Sequence, residues 1–251
     1  MSDKVRVTID GAVRTITLAR PEKSNAMDAE MLRDLEEAFS PRPGPGPEER
    51  VAVIRSEGRV FCAGLDLKGN LGADQAVEKL FRRVESWPLP VVAVVQGAAI
   101  AGGNELALHC DFVVASSNAR FGMSLAQIGL APTWFLTKKL MEVGGPVVTR
   151  QILLLGDPLP AQRMADLGLI ASCVEPDELE GAANKIIDRL VRNAPLSLRA
   201  MKATINREMQ FRDGIFHEDT DALVSQAMRS QDSREGLSAW RERRPANFTG
   251  E

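Results

Sequence analysis

Glu105 lies three positions after Gly102 in LPVVAVVQGAAIAGGNELALHCD, Leu89 to Asp111, the stretch whose residue types best suit chemistry. Val91 to Val95 is a continuous apolar run, the mark of a strand buried on both faces. Small residues follow, Gly97 to Gly103, and then Asn104 to Leu108 opens a helix. A strand that feeds a glycine-rich turn into a helix start leaves backbone N–H groups without partners. Such donors with a carboxylate beside them suit reactions that build negative charge on a carbonyl oxygen. The same residues also read as a tight strand–helix crossover, with Gly102 and Gly103 serving close packing and Glu105 favoured electrostatically in a first helical turn. Gly58 to Gly69, GRVFCAGLDLKG, repeats the design: a strand runs into Ala63 and Gly64 ahead of the helical pattern Val77, Leu80, Phe81 and Val84. Two such turns could face one site.

Other chemistries lack their residues. The chain has no tyrosine and only two histidines, His109 and His217, too few for a histidine metal site. HExxH, GxSxG, GxxxxGK[ST] and GxGxxG do not occur. Cys62, Cys110 and Cys173 are far apart and in no metal-type spacing, which fits a reduced, cytoplasmic setting. A net charge of −3 speaks against nucleic acid or an anionic membrane surface as partner. No apolar run approaches the ~18 residues of a membrane span, and MSDKVRVTID has no signal-peptide core.

Elements that would hold these turns follow in order. Val5 to Leu18 alternates around Asp10-Gly11, a hairpin signal. RPEKSNAM, Arg20 to Met27, reads as a loop, and Asp28 as the N-cap of a helix with Met31, Leu32, Leu35, Ala38 and Phe39 on its apolar face. PRPGPGPEER, Pro41 to Arg50, reads as a surface loop, and Val51 to Ile54 as a buried strand. Asp111 to Ala115 is a short strand, and Arg120-Phe121-Gly122 reads as the end of a turn. Helices are expected over Ala131 to Val143, Val147 to Leu155 and Pro160 to Leu167, with a last strand over Leu169 to Val174. Strands and helices alternate, the pattern of α/β layering with largely parallel strands. Beyond Pro176 the chain reads as helices: Leu179 to Val191, Leu196 to Met209, Ile215 to Met228 and Arg234 to Trp240. Their apolar stripes exceed what one core covers.

With RPEKSNAM, VFCAGLDLK, FGMSLAQIGLAP and LLLGDPLPAQRMADLGLI in this order, the chain resembles the crotonase family, the enoyl-CoA hydratase/isomerase superfamily. The resemblance implies a spiral of ββα units over residues 1–194 and a helical oligomerisation region over 195–251. It implies a homotrimer or homohexamer, and an acyl-CoA substrate that brings its own coenzyme A, with no separate cofactor. It places an oxyanion hole at the backbone N–H groups of Leu65 and Gly102, and coenzyme A contacts at Lys23, Ala26, Ala63, Asp66, Leu67 and Gly103. Glu105 matches one of the two glutamates of the hydratases; the second falls in FGxPE, which reads FGMSL here, so its position is Leu125. The resemblance therefore implies an isomerase or an atypical hydratase that stabilises a thioester enolate. A decarboxylase, a thioester hydrolase and a catalytically idle acyl-CoA scaffold are the alternatives.

Several neighbours carry a functional and a structural reading. His109 shares a helix face with Glu105 and could orient or protonate it, or serve as a buried, hydrogen-bonded core residue. Cys62 reads as a small buried thiol rather than a nucleophile. Ser124, Gln127 and Thr133 could hold a water where the second carboxylate would act, and Trp134 and Phe135 read as walls of an acyl pocket. Lys202 with Arg192, Arg199 and Arg207 reads as a solvated helix face or a grip on coenzyme A phosphates.

Overall fold

The alternating pattern resolves into two sheets in the computed structural model, which describes residues 2–40, 49–67 and 74–251. Gly11-Ala12, directly after Asp10, joins β1 (Val5–Asp10) to β2 (Val13–Leu18) as an antiparallel hairpin. β2 lies parallel to β3 (Val51–Ser56), and β5 (Val91–Val95), β7 (Phe112–Ser116) and β10 (Ser172–Val174) continue the sheet in parallel, in the order β1-β2-β3-β5-β7-β10. A smaller sheet runs β4 (Val60–Cys62), β6 (Ala98–Ile100), β8 (Arg120–Gly122) and β9 (Leu159–Pro160). Each long strand is followed by a short one and then a helix: α2 (Asp74–Glu85) after β4, α3 (Gly102–Leu108) after β6, and α4 (Trp134–Arg150) after β8. This is the expected ββα repetition.

The unbroken apolar strands have a direct cause. Val51, Val53, Val92, Val94 and Val114 pack against Leu179, Ala183, Ile187 and Leu190 of α6 (Leu179–Arg192). The alternate residues Ala52, Ile54, Val91, Ala93 and Val95 face the main core with Leu35 of α1 (Ala29–Ala38), Phe81 of α2 and Leu106 of α3. A strand covered on both faces loses the polar alternation of a half-exposed one. Asp28 caps α1, its carboxylate accepting from the Met31 N–H at 2.9 Å.

Four readings need correction. Arg120-Phe121-Gly122 is a strand, because Phe121 and Gly122 pair with Ala99 and Ile100. The helices expected over Ala131 to Leu155 form α4, kinked where Gly145 takes φ 63° ahead of Pro146, and a short π-helical turn over Gln151–Leu155. Lys202 is not a solvated cation: it is buried, donating to the Leu89 carbonyl at 3.1 Å and to Asp111 at 2.5 Å. That bond anchors α7 (Pro195–Met209) beside the entry to β5. The last strand is confined to Ser172–Val174. The expected loop at 41–48, and Lys68 and Gly69 of the second turn, lie outside the described residues. Helices α5 (Ala161–Asp166), α8 (Glu218–Arg229) and α9 (Gln231–Glu242) complete the α-helices among the described residues. Among the described residues no helix is long and apolar enough to cross a membrane.

Candidate active site

The two glycine turns do meet, because β4 and β6 are paired neighbours. Gly64 takes φ 94°, in the left-handed region, and a Cβ built on Gly102 would lie 3.5 Å from the Gly64 Cα. Ala101 is held at φ 49°, ψ −118°, an uncommon conformation for a residue with a Cβ. Its strain aims the first turn of α3. Gly103 fits only as glycine, since a Cβ there would fall 2.1 Å from the Cys62 carbonyl oxygen.

Leu65 and Gly102, the two expected donors, line one cavity. Met27 donates to the Gly64 carbonyl at 2.7 Å and accepts from the Asp66 N–H at 2.9 Å. In a parallel bridge of this kind the intervening residue, Leu65, turns its own N–H to the other side. Gly102 is the first residue of α3, so its N–H has no acceptor within the helix. Leu65 and Gly102 line a cavity of about 90 Å³ together with Leu67, Val77, Phe81, Ala101, Met123, Leu125 and residues Leu130 to Thr133. Backbone N–H groups without helical or bridge partners, in apolar surroundings, are the materials from which an oxyanion site can be built.

Glu105 follows Gly102 on the first turn of α3 and is not itself among the residues that line the cavity. It is fully buried, and neither carboxyl oxygen has a hydrogen-bond partner among the described residues. Burial pushes its pKa up to about 8, against a smaller downward pull from Lys139. A carboxyl group in such a place holds a proton near neutrality and gives it up to a strong base. His109 is buried too, and its Nδ1–H donates to the Glu105 carbonyl oxygen at 2.8 Å. The ring stacks between Phe81 and Phe135, at 5.1 Å to each centroid, and Nδ1 lies 3.7 Å from the Glu105 carboxylate. Burial lowers its pKa to about 3, so the imidazole is neutral. The core reading of His109 is the one this geometry supports.

The remaining candidates divide cleanly. The RPEKSNAM loop is laced to the first turn: Ala63 donates to the Ser24 carbonyl at 3.0 Å and the Cys62 thiol to that of Asn25 at 3.1 Å. Of Lys23, Ala26, Ala63, Asp66 and Leu67, only Leu67 lines the cavity; the others belong to this laced loop and turn. Lys23 is exposed, whereas Asp66 is held by Arg20 at 2.9 Å. Cys62 is structural, its pKa pushed up to about 12 by burial. Ser124 donates to the Gly156 carbonyl at 2.8 Å, and Gln127 to Leu155 and Asp157, each at 3.1 Å. Neither lines the cavity, but Leu125 does. Trp134 and Phe135 do not wall the cavity either. Phe135 is turned onto His109 and Trp134 onto His217, with centroids 4.7 Å apart, while Leu136 takes the wall position. One residue escaped the sequence reading: Glu78 of α2, which lines the cavity and accepts from the Thr133 hydroxyl. The one available signal was its place directly after Val77 in the pattern read as core.

Comparison with known proteins supplies the family and the fold. Residues 8–251 match the enoyl-CoA hydratase/isomerase family model. The chain belongs to the enoyl-CoA hydratase/isomerase family. The crotonyl-CoA hydratase of Syntrophomonas wolfei is 34% identical, over 91% of each chain. The structure of an enoyl-CoA hydratase from Mycobacterium avium subsp. paratuberculosis superposes with a TM-score of 0.87 at 30% identity, covering 98% of each chain. A methylmalonyl-CoA decarboxylase shares the fold at a TM-score of 0.90 and 24% identity, covering 100% of each chain, a likeness of architecture. Acyl-CoA chemistry of the hydratase/isomerase kind is thus the family frame for the site.

Proposed function

We propose that the protein is an acyl-CoA isomerase, moving a double bond along a short enoyl thioester through an enolate. The observation that supports this reading is an apolar cavity lined by both Leu65 and Gly102, with the buried Glu105 one helical turn on from Gly102. The thioester oxygen would sit between the two donors, which strengthen as charge develops on it. Glu105 would exchange a proton with the α-carbon. Lys23, Ala26, Ala63, Asp66 and Leu67 would receive coenzyme A, and Gly103 would hold the hole by its close approach to Cys62. Hydration is the second reading, favoured by the crotonyl-CoA hydratase relative. Leu125 weighs against it: that side of the cavity offers no hydrogen bond to an attacking water.

Turnover of β,γ- and α,β-enoyl-CoA by the wild type and by Glu105→Gln tests the proposal. Isomerase activity that falls at least ~100-fold in the variant is expected. Unchanged activity in a folded Glu105→Gln protein overturns the reading.

The active form is proposed to be a homotrimer or homohexamer. Leu196, Met201 and Ile205 of α7, Phe211 and Phe216 after it, and Leu223 of α8 are large apolar side chains exposed on the single chain. Light scattering at micromolar concentration should give a multiple of three chain masses; a monomer would contradict it.

A further inference from the structure

Moving a double bond requires a proton to leave one carbon and another to arrive two carbons away. Glu105 serves the α-carbon. The position that supplies a second carboxylate in FGxPE is Leu125, and the polar side chains around it are engaged elsewhere, Ser124 with Gly156 and Gln127 with Leu155 and Asp157. His109 does not line this cavity but a separate cleft with Glu85, Lys139 and Glu142.

Among the described cavity-lining residues Glu78 is the sole carboxylate. Its position on α2 is fixed by Val77, Leu80 and Phe81, all buried in the main core. Its carboxylate is oriented by the Thr133 hydroxyl just before α4, and it makes no ion pair among the described residues. A carboxylate that bonds one neutral hydroxyl keeps lone pairs free for a proton. Glu78 and Thr133 also line a second, outer cleft of about 330 Å³ with Arg82, His217 and Asp221. Glu78 therefore borders both the reaction cavity and a cleft through which it can exchange protons with solvent.

From this placement we infer that Glu78, oriented by Thr133, is the second acid–base residue of the site and serves the γ-carbon. The inference rests on the isomerase reading of the same cavity. For an α,β-enoyl thioester, the Glu78 carboxylate takes a proton from the γ-carbon, and that C–H electron pair becomes the β,γ double bond. The former α,β pair moves through the thioester to its oxygen, held by the Leu65 and Gly102 N–H groups. The α-carbon then takes the proton of the Glu105 carboxyl group and the carbonyl re-forms. Glu78 ends protonated and Glu105 ionised; Glu78 releases its proton to the outer cleft and Glu105 is reprotonated before the next turnover. The reverse reaction uses the same two groups with their protonation exchanged.

An isotope experiment separates this from a single-base shuttle. A β,γ-enoyl-CoA carrying deuterium on its α-carbon is converted in ordinary water, and the product is analysed by mass spectrometry and NMR. With two groups, the γ-carbon receives protium and the deuterium is lost to solvent. A shuttle by Glu105 alone would carry deuterium to the γ-carbon. Glu78→Gln keeps an acceptor for Thr133, so folding and coenzyme A binding should persist while kcat falls about 100-fold with KM little changed. Its residual product should then carry deuterium at the γ-carbon. Thr133→Val, which only frees the orientation of Glu78, should lower kcat about tenfold. Transfer of deuterium to the γ-carbon by the wild type, or full activity in Glu78→Gln, overturns the assignment. If Glu105→Gln is inactive in either case, the isomerase reading survives without it. No isomerisation by the wild type would remove both.

Discussion

The two walls of the cavity are built from different material. One wall is backbone: the Gly64–Leu65 and Ala101–Gly102 turns, seated on paired strands and locked by Gly103 against the Cys62 carbonyl. The other is side chain: Glu78 from α2, and Leu125, Leu130, Thr133 and Leu136 from the segment that enters α4. Backbone donors are indifferent to the residue that carries them, provided the turn keeps its shape. Side chains on the opposite wall can change without touching the fold. On the proposed reading the first wall would stabilise charge on oxygen, a need common to every enolate reaction, and the second would decide which carbon receives a proton and whether water enters.

The largest expected effect breaks the backbone wall. Gly102→Pro deletes one N–H donor at a first helical position, where proline breaks no helical hydrogen bond and its Cβ meets only the mobile end of Met27 closely, at 3.0 Å. It should lower kcat about 100- to 1,000-fold, the cost of losing a donor of this kind. Leu65→Ala keeps its N–H and should lie within a few-fold of wild type. A Leu65→Ala variant as impaired as Gly102→Pro would mean that the side chain, not the backbone, matters at that turn.

A smaller effect is expected from the buried charge of Glu105. The Glu105 carboxyl has an ordinary pKa of 4.5 and is raised to about 8 in the fold. Between those values the unfolded chain has released the proton while the folded protein keeps it. Stability contributed by Glu105 is therefore present below pH 4.5 and lost as pH rises toward 8. His109 works in the opposite sense: its pKa falls from 6.5 to about 3, so stability is lost as pH drops through that window. Glu105→Gln should flatten the alkaline limb alone. At pH 8 the variant should be the more stable of the two, by several degrees in Tm, while the two converge near pH 5. Parallel melting curves for the two proteins across this range would refute the burial of an ionisable Glu105.

The backbone wall was legible in the sequence and the side-chain wall was not. Small residues after an apolar strand announce a turn, and a carboxylate three positions after Gly102 announces its place in the first helical turn. Glu78 carried no such mark. Its side chain reaches the cavity only because α2 packs over α3 and the segment before α4 supplies Thr133 from 55 residues away. Trp134 and Phe135 were misplaced for a related reason: a wall expected from residue type cannot say which face of α4 turns inward. Helix phase is set by what α4 packs on, His109 and His217 in this fold. The strands fared better because their continuous apolar runs report burial on both faces. Lys202 looked like surface and became an anchor, since its partner Asp111 lies 91 residues earlier.

The smallest expected effect concerns Leu125, where the two walls come nearest to a hydratase arrangement. Hydration needs a water delivered to the β-carbon and a proton to the α-carbon, and Glu105 can supply the second. Leu125 lines the cavity with an apolar surface, and neither Ser124 nor Gln127 is free to hold a water there. Wild type should therefore hydrate crotonyl-CoA slowly, well below the ~10 per second typical of enzymes. Leu125→Glu places a carboxylate where FGxPE has one, and should raise hydration about tenfold, short of a full hydratase rate. Two costs limit the gain. The new carboxylate loses solvation beside Phe81 and Leu136, and it shares the cavity with Glu78, so the like charges oppose joint ionisation. Combining Leu125→Glu with Glu78→Gln removes that repulsion and should raise hydration further while isomerisation falls. Hydration in the double variant no higher than in Leu125→Glu alone would show that the two carboxylates do not share a cavity. Rapid wild-type hydration abolished by Glu105→Gln would show that Leu125 does not keep the water out.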